Sequence, residues 1–119
     1  MSDEQPWRIE FYTDGRGKSP VKEFLDGLQP NERAKAYSYL SLLKDFGTNL
    51  GLPHAKALKG HKPLWELRPK PNRLIYFAHS GRKFIILHGF PKKRNRTSKL
   101  DIDAAERNMS DYLAREANE

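Results

Sequence analysis

The chain contains no cysteine among its 119 residues. Without thiols it can form no disulfide bond, no thiolate metal site and no cysteine nucleophile, which suits a reducing compartment. Residues 1–5 lack the basic-then-apolar pattern of a signal peptide. No apolar run approaches the roughly 20 residues needed to cross a bilayer. We therefore expect a cytoplasmic protein that is not bound to a membrane.

Several common catalytic signatures are also absent. The sequence has no phosphate-binding GxxxxGK[ST] loop, no GxGxxG turn after a strand, no HExxH zinc motif and no GxSxG nucleophile elbow. The four histidines include no closely spaced pair that would suit a metal site; they stand at positions 54, 61, 79 and 88. We therefore expect neither a metal ion nor a cofactor.

The sequence is rich in positive charge, and this charge is unevenly placed. The formal net charge is +7, yet residues 59–99 carry twelve Lys or Arg and a single acid, Glu66, while the remaining residues sum to −4. Clustered cations favour a polyanionic partner, because neutralising phosphates releases counterions. A solvated basic surface is the alternative interpretation of the charge count.

The hydrophobic pattern predicts a single domain over residues 1–119. Period-two and helical patterns indicate, in order, a strand (7–12), two helices (20–28 and 30–46), a loop (47–63), three strands (64–68, 73–78 and 83–90) and a final helix after Ser98. This β-α-α-β-β-β-α order, with short turns between the later strands, predicts an α+β fold. We expect an antiparallel sheet with its helices grouped on one face.

The helices show capping residues and apolar stripes. Ser19 and Ser98 stand at expected N-caps, and Gly47 at an expected left-handed C-terminal cap. Inward positions spaced three or four residues apart are predicted to be Val21, Phe24, Leu25 and Leu28, then Ala36, Tyr39, Leu40, Leu43 and Phe46, and finally Ile102, Ala105, Met109 and Tyr112 or Leu113.

Alternation along the strand 64–68 suggests a candidate site. If Trp65 and Leu67 pack against the helices, Glu66 and Arg68 project from the opposite, open face. Arg73 begins the adjacent strand and should lie near them across the hairpin. The basic run at 92–96 leaves the end of the last strand of the meander. Alternatively, Glu66 and Arg68 form only a solvated ion pair worth ~0–1 kcal/mol.

His88 is a reserve candidate for acid–base chemistry, because imidazole titrates near neutrality. Strict alternation places it on the same face as Phe84 and Ile86, so a half-buried structural histidine is the alternative. Tyr76 shares a face with Leu74 and is expected to be structural.

Several stretches together resemble a known family. They are PVKEFL at 20–25, LWELR at 64–68, RLIYF at 73–77, LHGF at 87–90 with the following Lys92 and Lys93, AER at 105–107, and DYL at 111–113. In this order and spacing they are similar to the HigB-like, phage-derived branch of the RelE/ParE toxin superfamily. The similarity extends from about Trp7 to Leu113.

The resemblance implies a toxin of a type II toxin–antitoxin system, held inactive by a helix-turn-helix antitoxin from the same operon. Many members are endoribonucleases that cut mRNA on the ribosome without a metal, using cationic residues on a concave sheet face. Arg68 and Arg73 match cationic strand positions, and Lys93 falls near a catalytic arginine of RelE. RelE also uses a tyrosine on its C-terminal segment, and the comparable region near Lys99 has none.

These residues suit the chemistry of RNA scission. Glu66 is the proposed general base for the ribose 2′-OH, and Arg68 and Arg73 are proposed to stabilise the phosphorane. Lys93 or Arg94 would stabilise the phosphorane or the leaving oxygen. Contacts to the RNA or ribosomal RNA backbone are assigned to Lys92, Arg96 and Lys99.

Two functions without nuclease activity stay open on the same fold. One is a ParE-like topoisomerase poison. The other is a nucleic-acid-binding regulatory protein that kept the fold and lost catalysis.

Overall fold

The computed structural model describes residues 6–118, which form one five-stranded sheet and three α-helices. The strands are β1 (Arg8–Phe11), β2 (Ala55–Ala57), β3 (Trp65–Leu67), β4 (Asn72–His79) and β5 (Lys83–Pro91). The helices are α1 (Pro20–Asp26), α2 (Pro30–Phe46) and α3 (Lys99–Ala117), with a short 3-10 turn at Gly47–Asn49. None of the helices in the described residues has the length and hydropathy to cross a membrane.

The sheet is mixed, with strand order β1-β5-β4-β3-β2. The expectation of an α+β fold is confirmed, but the expectation of a purely antiparallel sheet is wrong because β1 pairs with β5 in parallel. Alternation within a strand reveals its faces and carries no information about its partner or direction. The region 47–63 also contains β2, which pairs with β3. Its sequence Ala-Lys-Ala has no strong apolar alternation, so the sequence pattern does not indicate this strand.

Helices cover both faces of the sheet, so the expected grouping on one face is also wrong. Helices α1 and α2 form a core with Leu74 and Tyr76 of β4, whereas α3 packs on the other face against Ile75 and Phe77. Because β4 and β5 are apolar on both faces, each face must be covered. The α3 face (the sheet surface under α3) holds the candidate site.

The predicted helix starts are confirmed by hydrogen bonds. The Ser19 hydroxyl accepts from the Lys22 amide at 3.3 Å, and Ser98 caps α3 in the same way. One predicted inward residue faces solvent instead. Phe46 is 57% exposed, since it lies roughly 80° around the helix from the buried stripe at 100° per residue. Of the alternatives Tyr112 and Leu113, Tyr112 packs against the core and Leu113 is exposed.

A β-bulge changes which side chains of β5 share a face. Ile75 pairs with His88, but the next residue, Tyr76, pairs with Ile86, so β5 has one extra residue here. A bulge inverts the alternation beyond it. His88 therefore lies on the α3 face, and the prediction that it shares a face with Phe84 and Ile86 is wrong.

Gly89 lies where the sheet meets α1, and a side chain there has no space. A Cβ atom would stand 2.6 Å from Phe24 Cδ2 and 3.0 Å from Leu74 Cδ2. Gly89→Ala is expected to lower the free energy of unfolding by about 1–3 kcal/mol, measured by urea denaturation. Gly15→Ala is the control, because its Cβ would meet nothing within 4 Å. Equal midpoints for the two variants would contradict this packing.

Candidate functional site

Three predicted site residues come together on the α3 face. Glu66 Oε1 lies 3.7 Å from Arg68 Nε and 3.4 Å from Arg73 Nε. They meet because β3 and β4 pair antiparallel, so that Glu66 and Arg73 stand on the same side of the hairpin as Ile75. The predicted convergence of these three side chains, called the ion cluster below, is confirmed.

The ion cluster is buried, so the expectation that it projects into solvent is wrong. Arg73 is 1% exposed and Glu66 6% exposed, and Arg68 is half-buried. The segment after β5 folds back over them, since the Thr97 hydroxyl donates a hydrogen bond to Glu66 Oε2. The Lys92 amide also donates to the Pro71 carbonyl at 2.9 Å. The cluster is therefore not the solvated ion pair of the alternative interpretation.

The ion cluster contains buried donors that make no hydrogen bond within residues 6–118. Arg73 Nη1 donates to the Asn72 carbonyl at 3.0 Å. The Nε atoms of Arg68 and Arg73 are buried and have no hydrogen-bond partner among the described residues, although both lie at ion-pair distance from Glu66. Burial lowers the pKa of Arg73, and the attraction of Glu66 opposes this effect. One carboxylate thus balances two guanidiniums, which leaves the site positive.

The basic loop (residues 92–98) lies beside the ion cluster. The pKa of Lys92 is lowered by desolvation and by repulsion from Arg73 and Arg68, which records their proximity. Lys93, Arg94 and Arg96 are exposed. An open cleft of about 270 Å³ separates the loop from the start of α3. Its lining includes Phe90, Lys92, Lys93, Arg94, Arg96 and Asp101. The inferred closeness of the basic run to the arginine pair is confirmed for Lys92, the first residue of the run.

His88 is linked to the start of α3 by a carboxylate. His88 Nε2 lies 2.8 Å from Asp101 Oδ1, and the Ser98 hydroxyl donates to Asp101 Oδ2 at 2.6 Å. The His88 ring stacks on Phe90 with centroids 5.6 Å apart. Its side chain is 21% exposed, as expected for a half-buried histidine.

The comparison with protein families follows the same part of the chain. Residues 23–110 match the model of the family described as Phage derived protein Gp49-like (DUF891). The chain belongs to the Gp49-like family. This family is related to toxins of the RelE type, which confirms the coarser part of the resemblance and leaves the HigB-like branch a prediction. No curated protein matches the chain. The Gp49-like match includes the ion cluster, the basic loop and His88.

Three residues at the Gp49-like site were missed as site residues: Thr97, Ser98 and Asp101. Ser98 is a predicted helix N-cap, and the hydrogen bond that its hydroxyl accepts from the Asp101 amide confirms this. Nothing in that local spacing indicates that the Asp101 carboxylate also reaches a strand thirteen residues earlier. The Thr97–Glu66 contact joins residues 31 positions apart and leaves no local signal either.

The geometry changes what Glu66 can do in this Gp49-like chain. Its Oε1 faces Arg68 and Arg73, and its Oε2 accepts from Thr97. Both oxygens are therefore engaged within the protein, which disfavours Glu66 as a base that reaches a substrate. Within residues 6–118, His, Asp and Glu side chains form no group of three suited to hold a metal ion.

Proposed function

We propose that this Gp49-like chain is the toxin of a toxin–antitoxin pair and a metal-free endoribonuclease that cuts mRNA on the ribosome in the cytoplasm. The observation that carries the proposal is the position of the basic loop directly beside the ion cluster. Exposed cations and two arginines of the sheet thereby form one positive site. The relation of the family to RelE-type toxins supports the same conclusion.

The exposed cations suit an RNA backbone. Lys93, Arg94 and Arg96 stand on a loop that borders an open cleft. Guanidinium groups give paired donors to phosphate oxygens, and each neutralised phosphate releases counterions. In the proposal these three residues hold the RNA, together with Lys92 and Lys99.

The reaction is an internal transfer at phosphorus. The ribose 2′-oxygen attacks the adjacent phosphorus while its proton passes to a base. The bond from phosphorus to the 5′-oxygen then breaks, and that oxygen takes up a proton, giving a 2′,3′-cyclic phosphate and a 5′-hydroxyl end. Positive groups stabilise the negatively charged phosphorane, and this stabilisation is the largest contribution that such a site makes to the reaction rate. In the proposal Arg68, Lys93 and Arg94 take this role, whereas the buried Arg73 pairs with Glu66, which also pairs with Arg68.

The test is to map 5′ ends on cellular transcripts after induction of the chain. Wild type is expected to create new ends within translated codons, and Lys93→Ala with Arg94→Ala should reduce them by roughly tenfold or more, since two phosphate contacts are lost. The matched control is Lys35→Ala with Lys44→Ala, which removes the same charge from exposed positions on α2.

The outcomes separate the functions. Equal cleavage by the loop variant and the control variant would contradict the proposed site. Growth arrest with broken DNA and intact transcripts would indicate a topoisomerase poison instead.

A second candidate function is nucleic-acid binding without cleavage. The observation that favours it is the deep burial of Glu66 and Arg73, since a buried ion pair can serve structure alone. This candidate predicts no new 5′ ends, no toxicity, and RNA binding that weakens steeply with salt.

The proposed partner is a helix-turn-helix antitoxin from the same operon, as the resemblance implies. Co-expression of the adjacent reading frame should abolish toxicity. Unchanged toxicity would contradict the pairing.

A further inference from the structure

We infer that His88 is the base that takes the proton of the ribose 2′-OH, and that Asp101 is its positioning residue. This inference rests on the proposed function. His88 replaces Glu66, whose oxygens are both engaged within the ion cluster. The pair His88–Asp101 joins β5 to the first turn of α3, next to the basic loop.

The Asp101 carboxylate is held at both oxygens. Oδ2 accepts from the Ser98 hydroxyl at 2.6 Å, and Oδ1 lies 2.8 Å from His88 Nε2. The Ser98 hydroxyl also accepts from the Asp101 amide at 3.2 Å, which fixes the cap. A fixed carboxylate that accepts from Nε2–H determines the tautomer of the ring, so Nδ1 carries the lone pair that can take a proton.

The β-bulge places this ring beside the cations. Across the sheet, His88 pairs with Ile75, and Ile75 pairs with Glu66. Because neighbouring strands lie about 4.8 Å apart, two such spacings separate the backbones of His88 and Glu66 by roughly 10 Å. Phe90, which stacks on His88, is the partner of Arg73 in the next row of the sheet.

The adjacent cleft supplies a place for the reacting phosphate. Phe90 and Asp101, both in contact with His88, line it together with Lys93 and Arg94. A phosphodiester held there by Lys93 and Arg94 would lie next to the half-buried ring. The cations needed for the transfer thus line the cleft directly, and the base contacts two of its lining residues, Phe90 and Asp101.

A second histidine–carboxylate pair on the same helix provides the control. His79 Nε2 lies 2.6 Å from Glu116 Oε1 at the other end of α3. Lys83 also stands 3.8 Å from Glu116 Oε2. This pair has the same chemistry and a similar distance, but it lies far along α3 from the basic loop.

The kinetic experiment follows cleavage of mRNA on purified ribosomes. His88→Ala should lower kcat by roughly 10²–10⁴-fold with little change in KM, and imidazole added to the buffer should restore part of the loss. Asp101→Asn should lower kcat about tenfold or more at constant KM, and Asp101→Glu should recover part of it. Glu116→Gln should leave kcat unchanged.

A spectroscopic measurement tests the positioning without cleavage. In wild type, the ¹⁵N shifts of neutral His88 should show one tautomer, with hydrogen on Nε2. Asp101→Asn should give a mixture, while Glu116→Gln should leave the His88 signals as they are. A His88 that shows the same tautomer in wild type and Asp101→Asn overturns the positioning role.

The outcomes distinguish this inference from the proposed function. Cleavage by wild type that persists unchanged in His88→Ala and Asp101→Asn overturns the inference and leaves the nuclease proposal intact. A wild type that is folded and cuts no ribosome-bound mRNA overturns the proposed function, and the catalytic role of His88 with it.

Discussion

Arg73→Ala is expected to lower the free energy of unfolding by about 3–5 kcal/mol, because it leaves a buried carboxylate without its nearest cation. Arg73 is almost fully buried, and Glu66 Oε1 lies 3.4 Å from its Nε. Arg68 stays in the cluster but is half-buried and slightly farther, at 3.7 Å. It therefore compensates Glu66 only in part.

Such a loss is large for a domain of this size. Small domains are stable by about 5–15 kcal/mol, so Arg73→Ala removes between about a fifth and all of the free energy of unfolding. A loss of cleavage in this variant would then report folding rather than chemistry. For that reason Lys93 and Arg94, which are exposed, are better positions for testing the nuclease.

Urea denaturation followed by circular dichroism measures the effect. Arg107→Ala is the matched control, because Arg107 is exposed on α3 and its loss should change the midpoint very little. The double variant Glu66→Leu with Arg73→Met should recover much of the stability, since apolar side chains of similar volume can replace a buried ion pair. An unaltered midpoint in Arg73→Ala would show that the cluster contributes little to folding.

The local pattern in the sequence was sufficient to place the site on one face of the sheet. Alternation separated Glu66 and Arg68 from Leu67, and the short turn before Arg73 implied a hairpin. These conclusions hold because side-chain direction in a strand depends only on position within the strand. The Ser98 cap was equally accessible, since its partner is three residues away.

Features that depend on contacts between residues far apart in the chain could not be predicted from the local sequence pattern. The depth of the ion cluster depends on Thr97 reaching Glu66 across 31 residues. The direction of β1 depends on its pairing with β5, which follows some 75 residues later. The sheet face on which His88 lies depends on the bulge, because one extra residue in β5 reverses the order in which side chains alternate between the two faces.

Glu66→Gln is expected to have the second large effect, a loss of stability of about 3–5 kcal/mol, because the buried Arg73 guanidinium and the half-buried Arg68 guanidinium are then left without an anion. Lys92 stands close enough to both for its pKa to be lowered by them, so the positive charge at this site would be uncompensated. The midpoint of urea denaturation measures the loss. Asp103→Gln is the control, because Asp103 is an acid on α3 that pairs with the exposed Lys99.

Phosphate should restabilise Glu66→Gln, because an anion that binds the folded state alone shifts the equilibrium by mass action. At equal ionic strength, phosphate in place of chloride should raise the midpoint of Glu66→Gln more than that of wild type. Phosphate, which is also the charged group of RNA, would then supply the negative charge that Glu66→Gln removes. If Glu66→Gln has the same midpoint in phosphate and in chloride, an anion-accepting site at Arg68 and Arg73 is contradicted.

The activity of Glu66→Gln decides between the two candidate bases. If His88 takes the proton, Glu66→Gln should retain cleavage per folded molecule at temperatures below its midpoint, within roughly tenfold of wild type. If Glu66 is the base, the loss should reach the 10²–10⁴-fold typical of a missing general base. Measured beside His88→Ala on the same ribosome-bound message, the variant assigns proton transfer to one of the two residues, because they lie on different strands and their hydrogen bonds within residues 6–118 are made to Asp101 and to Thr97.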